Sequence, residues 1–158
     1  MNGTYFGRLT RIYRLTVPDN HRKGKTMTHR IAEITGLDAP VQQQLAAMGI
    51  ITREQLLEEA NSPAQRIILA RRLGVSAGQL TEWVNRADLM RLTGVSTEMA
   101  NLLEECGVDS CKELQHRVAV NLYIKLKAVN DEKHITHHVP SVNQVDEWIR
   151  QAIILTTQ

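Results

Sequence analysis

Three histidines, His134, His137 and His138, fall in one short stretch as H-x-x-H-H, and His116 precedes them in the chain. Imidazoles at such spacing ligate a divalent cation when cysteines or a carboxylate complete the set. No Cys pair accompanies them, and the surrounding Asn130–His138 is polar. A solvated loop is therefore expected, with no metal assigned. Cys106 and Cys111 are too few for a disulfide framework. Cys106 falls on an apolar stripe and is expected to be a buried thiol, whereas Cys111 is expected to be exposed. The carboxylates of Glu58-Glu59, Glu104-Glu105 and Asp131-Glu132 are neighbours in sequence, so on a helix they diverge and read as solvated faces. There is no Gly-rich phosphate loop, nucleophile elbow or Ser-His-Asp set. The residue types point to a non-catalytic protein without a cofactor.

The elements that position these residues follow from a duplication. Ile34–Ala60 reads ITGLDAPVQQQLAAMGIITREQLLEEA, and 58 positions later Leu92–Val118 reads LTGVSTEMANLLEECGVDSCKELQHRV. Thr35/Thr93, Gly36/Gly94, Leu45/Leu103, Gly49/Gly107 and Leu56/Leu114 are identical. Val41, Leu45 and Met48 make a helical stripe, repeated as Met99, Leu103 and Cys106. Gly36 suits the positive φ of a tight hairpin. Asp38 suits the N-cap of the next helix, with Pro40 in its first turn, and Gly49 suits its C′ stop. Thr52/Gln55, Ser62/Gln65, Ser76/Gln79, Ser110/Glu113 and Ser141/Gln144 have capping-box spacing. Matching stripes and matching punctuation argue for one repeated unit.

The run Ile-x-Gly-apolar, then Leu, then Gly-Ile/Val, then Thr/Ser-x-x-x-Leu resembles the helix-hairpin-helix motif. With WVNRADLMRLTGV at Trp83–Val95, the chain from roughly 29 to 155 looks like a bacterial domain of unknown function built from two such units. That resemblance implies sequence-independent binding of DNA through hairpin N–H groups on a phosphate. The positions it marks are Gly36, Leu37, Asp38 and Gly94, Val95, Ser96. In that family the hairpin is Gly-apolar-Gly. Here the second glycine is replaced by Asp38 and Ser96, and Asp38 puts a negative charge where a phosphate is expected.

Charge is unevenly distributed. Residues 1–28 carry six bases against Asp19 alone, a net +5, which leaves residues 29–158 at net −3. Phosphate binding is largely electrostatic, so the repeat region is expected to bind nucleic acid only weakly, through Arg71, Arg72, Arg86, Arg91, Lys125 and Lys127. Residues 1–28 read as a basic segment, either a disordered tail or, since Gly7–Val17 alternates loosely, one with a short edge strand. Translation starting at Met27 is an alternative, since Arg22-Lys23-Gly24-Lys25 could be encoded by a purine-rich ribosome-binding stretch. No signal peptide or membrane span is apparent, and the cytoplasm is the default compartment.

The expected fold is all-α: a tandem helix-hairpin-helix repeat of two similar four-helix units, 29–91 and 92–158. In the first, a helix over Asn61–Arg72 turns at Gly74-Val75 into a helix ending near Ala87. In the second, a helix over Ala119–Val129 is followed by the loop Asn130–His138 and a last helix from Ser141 to about Leu155. Trp83 and Trp148 occupy equivalent places at an offset of 65 and are expected in the core. Three functions are weighed. The first is weak binding of a DNA or RNA backbone. The second is a protein-interaction or adaptor module that has lost the phosphate site, which expects an exposed apolar patch. The third is a helix-turn-helix over residues 69–86, with Ser76–Arg86 as recognition helix presenting Gln79, Thr81, Glu82 and Asn85.

Overall fold

The computed structural model describes residues 30–157. Among them, eight α-helices follow a single 3₁₀ turn at Ile31–Glu33, and there is no strand. They are α1 (Ala39–Ala47), α2 (Arg53–Glu59), α3 (Pro63–Leu73), α4 (Ala77–Leu89), α5 (Thr97–Glu105), α6 (Cys111–Leu114), α7 (Ala119–Lys133) and α8 (Val142–Thr156). The all-α expectation holds. The expectations for residues 1–28 lie outside the described residues.

Local signals account for the helix ends. Asp38, Thr52, Ser62, Ser76, Ser96, Ser110 and Ser141 each accept a hydrogen bond from the N3 backbone N–H of the helix they open. Only Thr52/Gln55 and Ser62/Gln65 close the reciprocal box, where five were expected. Glu113 turns instead to Arg117, 2.9 Å away, and the Gln144 amide lies over Gly94. Gly49 and Gly107 both have φ 85°. Beyond them Ile50 N–H reaches Leu45 O and Val108 N–H reaches Leu103 O, each at 2.9 Å, the six-to-one bond of a Schellman stop.

Apolar side chains collect in two clusters. One runs from Ile31 to Ala87 in the chain, the other from Leu89 to Ala152. Helix α4 serves both. Leu80, Trp83, Val84 and Ala87 share one face and enter the first cluster. Leu89, nine residues after Leu80, lies about 180° round the helix and enters the second. The tryptophans pack as expected, Trp83 3% and Trp148 1% exposed. Each indole nitrogen sits against the hairpin glycine of its own half.

Two expectations need correction. Cys111 is not exposed but 1% accessible. Its N–H donates to Asp88 Oδ2 at 2.7 Å and its thiol to Asp88 O at 3.3 Å. Arg53, at the equivalent position in the first half, is also buried, and its Nη1 donates to Met90 O at 3.2 Å. Both equivalent positions thus grip the segment that joins the halves. The second correction concerns α7, which continues through Asn130 to Lys133. Asn130 is a buried brace: its amide donates to Thr136 O and its Oδ1 accepts from Thr136 N–H, at 3.0 and 2.9 Å. Polar residues that read as loop are the wet face of a helix, with Lys127 facing Asp131 and Lys133 paired with Glu105.

Two outcomes follow. Gly107→Val, at φ 85° with only the tip of Arg117 nearby, should cost about 1–3 kcal/mol in urea unfolding, because a β-branched residue is strained there even without a clash. Burial and the adjacent Asp88 push the Cys111 thiol up to about 12, so it should resist a thiol-reactive dye in the folded protein and react on unfolding; prompt labelling of Cys111 in the folded chain would contradict its burial.

Candidate nucleic-acid interface

The two hairpins have one backbone design. Gly36 and Gly94 take φ 88° and 87°, a region open to glycine at no steric cost. The next residues, Leu37 and Val95, are buried plugs. Their N–H groups close the turn on Ile34 O and Leu92 O at 3.3 and 3.2 Å, so these two of the expected phosphate donors are spent internally. Asp38 and Ser96 then cap α1 and α5, accepting from Val41 N–H and Met99 N–H at 3.2 Å each.

This arrangement is electrostatically unfavourable to an anion. A helix N-terminus attracts negative charge, but Asp38 already supplies a carboxylate at the start of α1. Ser96 is neutral, yet Glu98 stands in the first turn of α5. The groups that lie against Gly94 are the Gln144 amide and the Trp148 indole, neither of them a base.

The six expected bases do not gather round the hairpins. Arg86 comes closest, but it is internal, with 17% of its side chain accessible. Its Nη1 donates to Thr35 O at 2.6 Å and its Nε to Glu104 Oε2 at 3.2 Å, with Glu82 at 4.0 Å. It therefore ties the first hairpin to α5 of the second half. Thr35 N–H adds a bond to Thr97 Oγ1 across the same junction. In the second half the carbonyl of Thr93 takes the Trp148 indole N–H at 2.9 Å. In the first half Arg86 holds the equivalent oxygen, and the Trp83 indole N–H is left buried without a partner. Arg91 is paired with Asp88 at 2.9 Å. Arg71 and Arg72 are exposed in the last turn of α3, where they complement its C-terminal dipole. Lys125 and Lys127 are exposed on α7.

The other motifs fall as follows. Helices α3 and α4 turn at Gly74, φ 72°, but α4 is packed on both sides. Of its supposed reading face only Glu82 is exposed, while Gln79, Thr81, Asn85 and Arg86 are half-buried. His134 is the left-handed C-cap of α7, φ 51°, and His134, His137 and His138 are exposed. Among the described residues no three His, Cys, Asp or Glu side chains converge as a metal-holding group.

One basic feature was not anticipated. His116, Arg117, Val118, Asn121, Leu122 and Lys125 line an open groove of about 280 Å³. Arg117 is anchored through Nη2 to Glu113 Oε1 and Gly107 O, at 2.9 and 3.1 Å. Val118 occupies the N-cap of α7 and gives no side-chain cap, and the first turn carries no acid. A valine where every other described α-helix has Asp, Ser or Thr is the signal in the sequence that marks this place.

Replacing Arg86 by Met should destabilise the protein by about 1–3 kcal/mol, because Glu104 and Thr35 O lose a half-buried partner. Burial raises the Glu104 carboxyl above 4.5 and Arg86 opposes the rise. The protonated form therefore contributes stability below that pH which is lost as pH climbs through the folded value. In R86M that loss should steepen in urea unfolding followed against pH. Unchanged stability in R86M, with weaker nucleic-acid binding, would return Arg86 to the surface.

Comparison with curated proteins and with solved structures finds no match. A family of domains of unknown function, DUF4332, matches residues 35–155, from the first hairpin to the last turns of α8. The chain belongs to the DUF4332 family.

Proposed function

We propose that the chain is a non-catalytic binding module on a tandem helix-hairpin-helix plan, acting in the cytoplasm, that holds a nucleic-acid phosphate backbone weakly and without sequence preference. The observation that carries this reading is the matched pair of hairpins. The same glycine turn, with φ 88° and 87°, recurs at the same place in each half. Each is followed by a buried plug and a capping side chain. A helix N-terminus behind such a turn can meet a phosphate, but the bonded Leu37 and Val95 N–H groups and the capping Asp38 and Ser96 keep that contact weak.

Charge sets the strength. The repeat region is net −3, Asp38 sits on the first hairpin and Arg86 is withdrawn into the junction. Two or three phosphate contacts are the reasonable complement, with Arg71, Arg72, Lys125 and Lys127 as exposed bases. The basic residues 1–28 add attraction that is independent of the hairpins.

A second reading, a protein-interaction module, is favoured by one observation. Val118, Val120 and Ile124 are 61%, 52% and 59% exposed at the start of α7, an apolar display of the kind found at contact surfaces.

Fluorescence anisotropy with labelled single- and double-stranded oligonucleotides separates the two. For two phosphates the affinity should fall roughly tenfold between 50 and 200 mM salt, similarly for different base sequences. Replacing both Arg71 and Arg72 by Gln should flatten that dependence if α3 touches the backbone. No binding with protein at tens of micromolar would end the nucleic-acid reading and leave the protein-interaction one.

A further inference from the structure

We infer that the groove formed by His116, Arg117, Asn121 and Lys125 is a phosphate site, and that it, rather than either hairpin, is where the second half grips a phosphodiester. The assignment to nucleic acid rests on the reading above. The phosphate chemistry rests on the groove alone.

The lining is largely apolar, with donors set into it. Arg117, Lys125, His116 and the Asn121 amide supply them, and Val118 and Leu122 supply apolar wall. Among the described residues the only carboxylate bonded to these bases is Glu113, on one terminal nitrogen of Arg117. That same nitrogen also bonds Gly107 O. The guanidinium is thus fixed at one corner, and no hydrogen bond among the described residues uses its Nη1 or Nε. A pre-oriented planar fork is the arrangement that suits a phosphate. Lys125 has no ion pair among the described residues, unlike Lys127 and Lys133. Asn121 and Lys125, four residues apart, share one face of α7.

Size narrows the ligand. At about 280 Å³ the groove lies just below the roughly 300 Å³ at which pockets for whole small molecules begin. It has room for a phosphate group, and Val118 offers apolar wall beside it. The contacts on offer are to phosphate oxygens and not to base edges, so binding should not depend on sequence. Arg117 reaches Gly107 O, just past the C-terminal end of α5, whereas Gly94 precedes that helix, so its nine residues, about 14 Å of helix, lie between the two. The two places can therefore be told apart residue by residue.

The test is an amide NMR titration of the full chain with inorganic phosphate and, separately, with a short single-stranded oligonucleotide. Wild type is compared with Lys125→Gln and His116→Gln, both exposed positions whose change leaves the core intact. Saturating shifts at residues 116–121 and 125 with both ligands are expected. K125Q should weaken oligonucleotide binding several-fold and lower the salt slope by about 1. Shifts with phosphate alone would support the phosphate site and refute its assignment to nucleic acid. Oligonucleotide shifts confined to Gly94–Ser96, with K125Q binding as wild type, would overturn the groove while leaving the proposed function standing. No shift at the groove with either ligand would also overturn it.

Discussion

The structure depends on one helix being buried on two sides. Helix α4 gives Leu80, Trp83, Val84 and Ala87 to the first cluster and Leu89 to the second. A helix with only one apolar stripe can leave its other face in water; α4 cannot. Its C-terminal end is held from both directions, by the Arg53 guanidinium on Met90 O and by the Cys111 backbone and thiol on Asp88. These two residues hold equivalent positions in the duplicated sequence. One position has thus evolved two chemistries for one task, a long charged donor in one half and a small thiol in the other.

The same junction decides which charges remain available. Arg86 reaches across it to Thr35 O and Glu104, and a guanidinium engaged there is lost to any ligand. Its counterpart in the second half, Gln151, accepts from Thr93 N–H at 2.8 Å. The swap of Gln for Arg explains why Trp148 keeps its hydrogen bond to the hairpin carbonyl and Trp83 does not. Joining the halves has therefore cost the first hairpin both an indole bond and its nearest base.

The hairpins illustrate a conflict between stability and binding. A cap that satisfies the first N–H groups of a helix stabilises it by about 1 kcal/mol, but it occupies the place an anion would take. Asp38 does this with a full charge and Ser96 with a dipole. Among the described α-helices only α7 begins without a capping side chain, and the unanticipated basic groove lies beside it.

How much was legible in the sequence depends on the distance over which each signal acts. Glycines at φ 85–88°, seven side-chain caps, the Leu45 and Leu103 stripes and the paired tryptophans rest on residues a few positions apart, or on a comparison of two stretches of the same chain. These the sequence determined, along with the all-α class. The fate of each charged or polar group was a different matter. Arg86 meets Thr35 51 residues away, and Cys111 meets Asp88 23 residues away. Helical periodicity says which side of a helix is apolar, not which distant carboxylate or carbonyl will face its polar side. Arg117 was overlooked because its anchor, Gly107 O, comes from the turn before α6, and Asn130 read as loop because its partner Thr136 lies beyond the helix end. Whether a base is a strut or an open contact is settled by the desolvation and geometry of its tertiary neighbours, and only the folded chain specifies those.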